Sequence, residues 1–177
     1  LPTFCAPRME HLLDATLEPG WRSAQSEPDT WAPMLDVSDA ALWEVRRGLK
    51  RDLVHHVRTL AISQARRRGE DVAVQRALEE ALDEDALLIG FARRFATYKR
   101  PNLLLHDPQR LLRLLNDPAR PVQLVVAGKA HPADAAGQAL IREWMQFIDR
   151  PEARHRVVFL SDYDMQLAEH LVQGADV

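Results

Sequence analysis

The sequence predicts an α/β protein: a parallel, Rossmann-like half-sheet preceded by a helical segment. Three observations carry this. From Ala86 on, short apolar runs alternate with amphipathic stretches. The runs "ALLIGFA", "PVQLVVAG" and "RVVFL" are continuously apolar or nearly so, as in strands buried on both faces. Before Ala86 the strong periodicities are of three and four residues, the period of a helix. Residues 1–84 therefore read as a helical approach and residues 85–177 as a partial Rossmann-like domain.

Pro7 suits the first turn of a helix. "PRMEHLLDATLEPG" runs apolar at Met9, Leu12, Leu13 and Leu17 before Pro19 and Gly20 stop it. "GWRSAQSEPDTWAP" reads as a loop whose tryptophans, Trp21 and Trp31, need something to pack on. Ser38 is a good N-cap, and Leu42, Val45, Leu49, Leu53, Val57 and Leu60 then recur at helical spacing up to Gly69. That predicts one long helix of roughly 45 Å at ~1.5 Å per residue. "EDVAVQRALEEALDED" is a shorter helix or a turn-rich link. After the first strand, "RPNLLLHDPQRLLRLLND" reads as helical, with Pro101 near its start and "HDP" bending or interrupting it. "PADAAGQALIREWMQFIDR" is a helix with Leu140, Trp144 and Ile148 on one stripe. "DYDMQLAEHLVQGA" is another, and "DV" begins a fourth strand.

Composition narrows the function. The 177 residues suffice for one domain, or for a domain with an appendage. A net charge of −3 argues against nucleic-acid binding through bulk charge, so an anion site must be local. Cys5 is the only cysteine, which excludes an internal disulfide and points to a cytoplasmic setting; nothing beside it supports a reactive thiol. No apolar run approaches the ~20 residues of a membrane span. The chain opens at Leu1 and closes on what looks like the start of a strand, so it reads as part of a longer protein. An incomplete sheet edge there predicts self-association into a homo-oligomer.

One stretch breaks the mixed-charge pattern. "GFARRFATYKRP" carries Arg93, Arg94, Lys99 and Arg100, and no Asp or Glu occurs from Ile89 to His106. In parallel sheets, ligands bind beyond the carboxyl ends of the strands, which is where Arg93 and Arg94 fall. Lys99 and Arg100 fall near the start of the next helix, where free N–H groups favour anions. The stretch is therefore either a solvated basic face or a phosphate-sized anion site built on guanidinium forks. Lys129, after the second strand in "VVAGKAHP", is a second cation at that edge. This is not a Walker A loop, because Ala130 stands where Ser or Thr is required. His131, before Pro132, reads as a turn residue. Tyr163, after the third strand, either reaches the ligand edge or simply packs. His55, His56, His155 and His170 show no metal spacing and read as structural or solvated.

Three strings, "GFARRFATYKRPNLLL", "LVVAGKAHPAD" and "FLSDYDMQLAEHLVQGADV", resemble in order and separation the α-glucan (glycogen/maltodextrin) phosphorylases in their short bacterial form. The resemblance is strong from Ala86 to Val177 and less specific before it. It implies two facing Rossmann-like domains of glycosyltransferase-B type with the active site between them. It also implies pyridoxal phosphate, whose 5′-phosphate serves catalysis. The implied reaction is reversible: α-1,4-glucan and inorganic phosphate give a shortened glucan and glucose 1-phosphate. By the motif match, Arg94 and Lys99 would be catalytic and hold the substrate phosphate, and Arg93 and Tyr163 would lie at the cofactor. Tyr98 and Arg100 would support the phosphate region, with Lys129 a further cation. The family's cofactor lysine sits in a downstream motif that none of Lys50, Lys99 and Lys129 matches. The isolated chain is therefore expected to be inactive. Two rival readings are the second domain of a nucleotide-sugar glycosyltransferase, and a non-enzymatic module whose helix from Asp39 to Arg68 binds partners beside an anion patch.

Overall fold

The computed structural model describes residues 4–161 and 163–177. Leu1 to Thr3, which open the chain, and Asp162, where the helix "DYDMQLAEHLVQGA" is expected to begin, lie outside the described residues.

The three apolar runs form β1 (Leu87–Ala92), β2 (Val122–Ala127) and β3 (Val157–Leu160). They pair in parallel in the order β1-β2-β3, with Ala92 opposite Ala127 and Ala127 opposite Leu160. Side chains alternate between two cores, as strand geometry dictates. Leu88, Val125, Ala127, Val158 and Leu160 face one core; Leu124, Val126 and Val157 face the other. Both faces are covered, which is why the runs are continuously apolar.

The helices fill the two layers. α1 (Pro7–Thr16), α2 (Asp39–Arg67) and α3 (Val72–Glu79) precede the sheet. α4 (Pro108–Leu115) and α5 (Ala135–Ile148) connect the strands, and α6 (Met165–Gly174) follows β3. α4 and α5 pack Leu111, Leu115, Trp144 and Phe147 on one face of the sheet. α2 and α6 pack Leu53, Val54, Val57, Ala61, Leu167 and Leu171 on the other. Ser38 caps α2 by accepting from Ala41 N–H (3.3 Å), and Asp164 caps α6 by accepting from Leu167 N–H (2.8 Å). The apolar stripe of α2 is therefore committed to the core and is not a free partner surface.

The change of face between α5 and α6 sets the topology. After β3 the chain crosses back and lies on the far side of β1, where Asp176 N–H and Val177 N–H donate to Leu88 O and Gly90 N–H donates to Val177 O. "DV" thus joins the edge of β1 as expected, although it is too short to register as a strand. The spatial order reverses at β1, which makes the carboxyl end of β1 a topological switch point.

Two expectations need correction. The tryptophan loop contains a 3-10 segment, Pro28–Asp36, whose interior Pro33 blocks a regular α-helix. It does pack: Trp21 is buried against Leu13 and Leu17, meets Trp31 edge-on at 5.9 Å, and donates to Asp14 Oδ1 (2.9 Å). The expected helix over "RPNLLLHDPQRLLRLLND" is α4 alone. It is preceded by 3-10 turns at Thr97–Lys99 and Leu103–His106, with the break at "HDP". Among the described residues, no helix is long and apolar enough to cross a membrane.

Candidate anion site

β1 ends at Ala92, but its backbone stays beside β2. Arg93 N–H donates to Ala127 O and Phe95 N–H to Lys129 O, each at 3.1 Å. Phe95 is fully buried and meets Phe91 and Phe159 edge-on at 6.3 and 5.8 Å. That anchor leaves its neighbours Arg93 and Arg94 exposed. The close approach requires glycine on the next strand: a Cβ on Gly128 would lie 2.1 Å from Arg93 O. This explains "AGK" better than any phosphate-loop role for the glycine.

The far end of the loop is held as firmly. Pro101 is buried and its carbonyl accepts from Trp144 Nε1 (3.3 Å). Asn102 Nδ2 donates to Leu140 O (3.0 Å) and Glu143 Oε2 (2.5 Å) on α5. Between the anchors, Arg100 adopts the left-handed conformation (φ 48°, ψ 47°), which is strained for a residue with a Cβ. Tyr98 is 78% exposed, and the Lys99 ammonium lies 5.6 Å from its ring centroid. No described residue gives the side chains of Arg93, Arg94, Arg100 or Lys129 an ion pair or hydrogen bond. Other arginines are paired, as in Arg51–Glu84 and Arg22–Asp14, while Arg76, Arg113 and Arg142 share the lack of a described partner; what marks the loop is its concentration of such cations within a few residues.

The structure therefore groups Arg93, Arg94, Tyr98, Lys99 and Arg100 on one pinned loop, with Lys129 directly across from it on the β2 exit. Tyr163 is half-buried and packs against the same core as Ala92, at the carboxyl end of β1. His131 is the turn residue expected, its Nδ1 accepting from Ala133 N–H (3.1 Å). Lys99 and Arg100 do not stand at a helix N-terminus: their N–H groups donate to Ala96 O and Thr97 O, and α4 begins later at Pro108, capped by Asp107. The cationic character belongs to the side chains and not to a helix dipole.

Lys50 carries no motif, and the spacing of Asp176 at the end of the third string does not reveal their pairing. Lys50 is 5% exposed, its Nζ 2.6 Å from Asp176 Oδ2 and donating to Ala86 O (3.2 Å). Asp176 Oδ2 also accepts from Leu88 N–H (2.9 Å). Arg46 donates to Gln173 O and Ala175 O (2.6 and 2.8 Å). Together they hold residues 176–177 against β1. A cation inside an apolar helix pattern was the available signal, but its partner lies far along the chain.

No protein-family model matches the chain. Individual proteins do. It is 43% identical over 99% of its length to a glycogen phosphorylase of Mycobacterium tuberculosis, of which it covers 20%. Over nearly its whole length the chain is similar to a segment of this phosphorylase. A glycogen phosphorylase of Aquifex aeolicus is 36% identical over 99% of the chain, which covers 25% of it. A maltodextrin phosphorylase of Thermococcus litoralis is 35% identical over 99%, with 20% covered. The chain thus spans a fifth to a quarter of these relatives' length.

Proposed function

We propose that this chain supplies the phosphate-handling edge of an α-glucan phosphorylase, which converts α-1,4-glucan and inorganic phosphate reversibly into a shortened glucan and glucose 1-phosphate. The observation that carries the reading is the concentration, on a pinned loop at the switch point of the sheet, of cations with no counter-charge among the described residues. Arg94 and Lys99 bind the substrate phosphate. Arg94 contributes a planar fork that takes two oxygens, Lys99 a point charge. Arg93 and Tyr163 face the cofactor, Tyr98 and Arg100 shape the loop, and Lys129 adds positive potential from β2.

Arg93 and Arg94 fit the phosphate of pyridoxal phosphate, because both are exposed guanidinium groups with no ion pair among the described residues. Lys50 does not fit as its anchor, being buried on Asp176. When bound, that cofactor supplies a 5′-phosphate able to exchange a proton beside the substrate phosphate. Two such anions about 4 Å apart repel by ~4 kcal/mol per pair of unit charges at an effective dielectric near 20. Preorganised cations offset this where charge develops in the transition state.

The test is phosphorolysis by a protein of the relatives' length carrying this segment. Glucose 1-phosphate is expected from maltodextrin and phosphate, reduced ~10²–10³-fold by Arg94→Ala and partly restored by Arg94→Lys. Absence of phosphorolysis, or activity of Arg94→Ala within about twofold of the parent, overturns the assignment.

A further inference from the structure

α2 and α6 meet through two imidazoles that lie far apart in the sequence. His56 and His170 stack with ring centroids 3.9 Å apart and planes within 6°. The carbonyl of Gln166 can only accept, so His170 donates Nδ1–H to it (2.8 Å), which fixes that ring's tautomer and orientation. The stack borders an open cleft that Arg51, Asp52, His55, Arg58 and Glu84 also line.

The surrounding charges are already engaged. Arg51 pairs with Glu84 and Asp52 with Arg8, both at 3.0 Å. Arg58 donates to Ala81 O and Leu82 O (2.8 and 2.7 Å). From α6 only the capping carboxylate of Asp164 favours a cation at His56, and His55 opposes one when protonated. We propose that the His56–His170 stack is a pH-sensitive latch, docking α6 on α2 while at most one ring is charged and loosening it when both are protonated. One proton is tolerated, because a neutral ring face accepts a stacked cation. A second places two cations in contact, with Asp164 the one described carboxylate that favours a cation at His56.

Burial, then the His170 charge, lowers the pKa of His56. With the folded value below the ordinary ~6.5, the latch is fully present above about pH 6.5 and is lost as pH falls through the folded value. α6 opens directly after Tyr163 and Asp164, so its docking determines where Tyr163 sits. The inference rests on the stack alone and holds whatever ligand the sheet edge takes.

The test combines NMR titration of the histidine Cε1–H signals with amide hydrogen exchange of α6, on this chain and on His56→Phe and His170→Phe. Phenylalanine keeps a ring in the stack without its charge. His56 is expected to titrate below the ordinary ~6.5. Protection of α6, corrected for intrinsic exchange, should fall at least about threefold from about pH 7.5 to 5.5 in the parent chain and stay constant in either variant. A His56 titration at or above ~6.5, or an equal loss of protection in the parent and a folded variant, overturns the latch. Should neither variant fold, the titration of the parent chain decides alone.

Discussion

Gly128→Ala would test whether backbone packing at the end of β2 holds the cationic loop in place. The added Cβ would lie 2.1 Å from Arg93 O and 3.0 Å from the Phe95 ring. Neither neighbour yields easily. Arg93 is bonded through its N–H to Ala127 O, and Phe95 is fully buried between Phe91 and Phe159. Overpacking of this kind costs ~1–3 kcal/mol, and a strained strand hydrogen bond adds ~0.5–1.5 kcal/mol. The sum, about 2–4 kcal/mol, lowers Tm by roughly 4–16 °C for a chain of this length. Thermal unfolding followed by circular dichroism measures it. Gly20→Ala is the control: its φ of 96° is left-handed but no atom lies within 4 Å, so only the conformational cost of ~1–2 kcal/mol applies. The Arg93 and Arg94 Nε–H signals should shift in Gly128→Ala and not in Gly20→Ala. A Gly128→Ala chain within about 0.5 kcal/mol of the parent would refute the packing argument.

Lys50→Met should cost ~3–5 kcal/mol in urea unfolding, because Asp176 then keeps only the 3.5 Å contact with Arg46 and the Leu88 N–H. Lys50→Met with Asp176→Asn should recover part of that loss; a single variant within about 1 kcal/mol would show that the pair is dispensable. Asp14, hydrogen-bonded by Arg22 and Trp21, has its pKa lowered to about 2. Its contact is therefore intact above the unfolded value of ~3.9 and disappears as pH falls toward about 2. The Trp21 indole N–H signal should hold steady down to about pH 4 and move below it, and Asp14→Asn should abolish that step. A Trp21 signal that moves between about pH 7 and 5 would contradict it.

The cationic loop was legible because it departs from its surroundings: "ARRFATYKR" concentrates charge of one sign in a chain that otherwise mixes both. Its mounting was not. Sequence spacing placed Lys99 and Arg100 at a helix start, but the local competition among Arg100, Pro101 and the "HDP" break is settled by contacts with α5. Trp144 and Glu143 capture Pro101 O and Asn102 there, and the helix begins only at Pro108. The His56–His170 stack was likewise invisible, since each histidine alone shows no metal or catalytic spacing.

The sequence by itself determined the strands, the major helices and the likeness to the phosphorylases. Burial on both faces demands continuous apolar runs, helices demand a period near 3.6, and the motif strings are local in the chain. Only the tertiary structure decided which groups are left without partners. Lys50 and Lys99 are the same residue type, yet one is buried on Asp176 and the other lies at the surface over Tyr98. The free energy of a charge depends on the solvent and counter-charges around it, and those are assembled by residues far away in the chain.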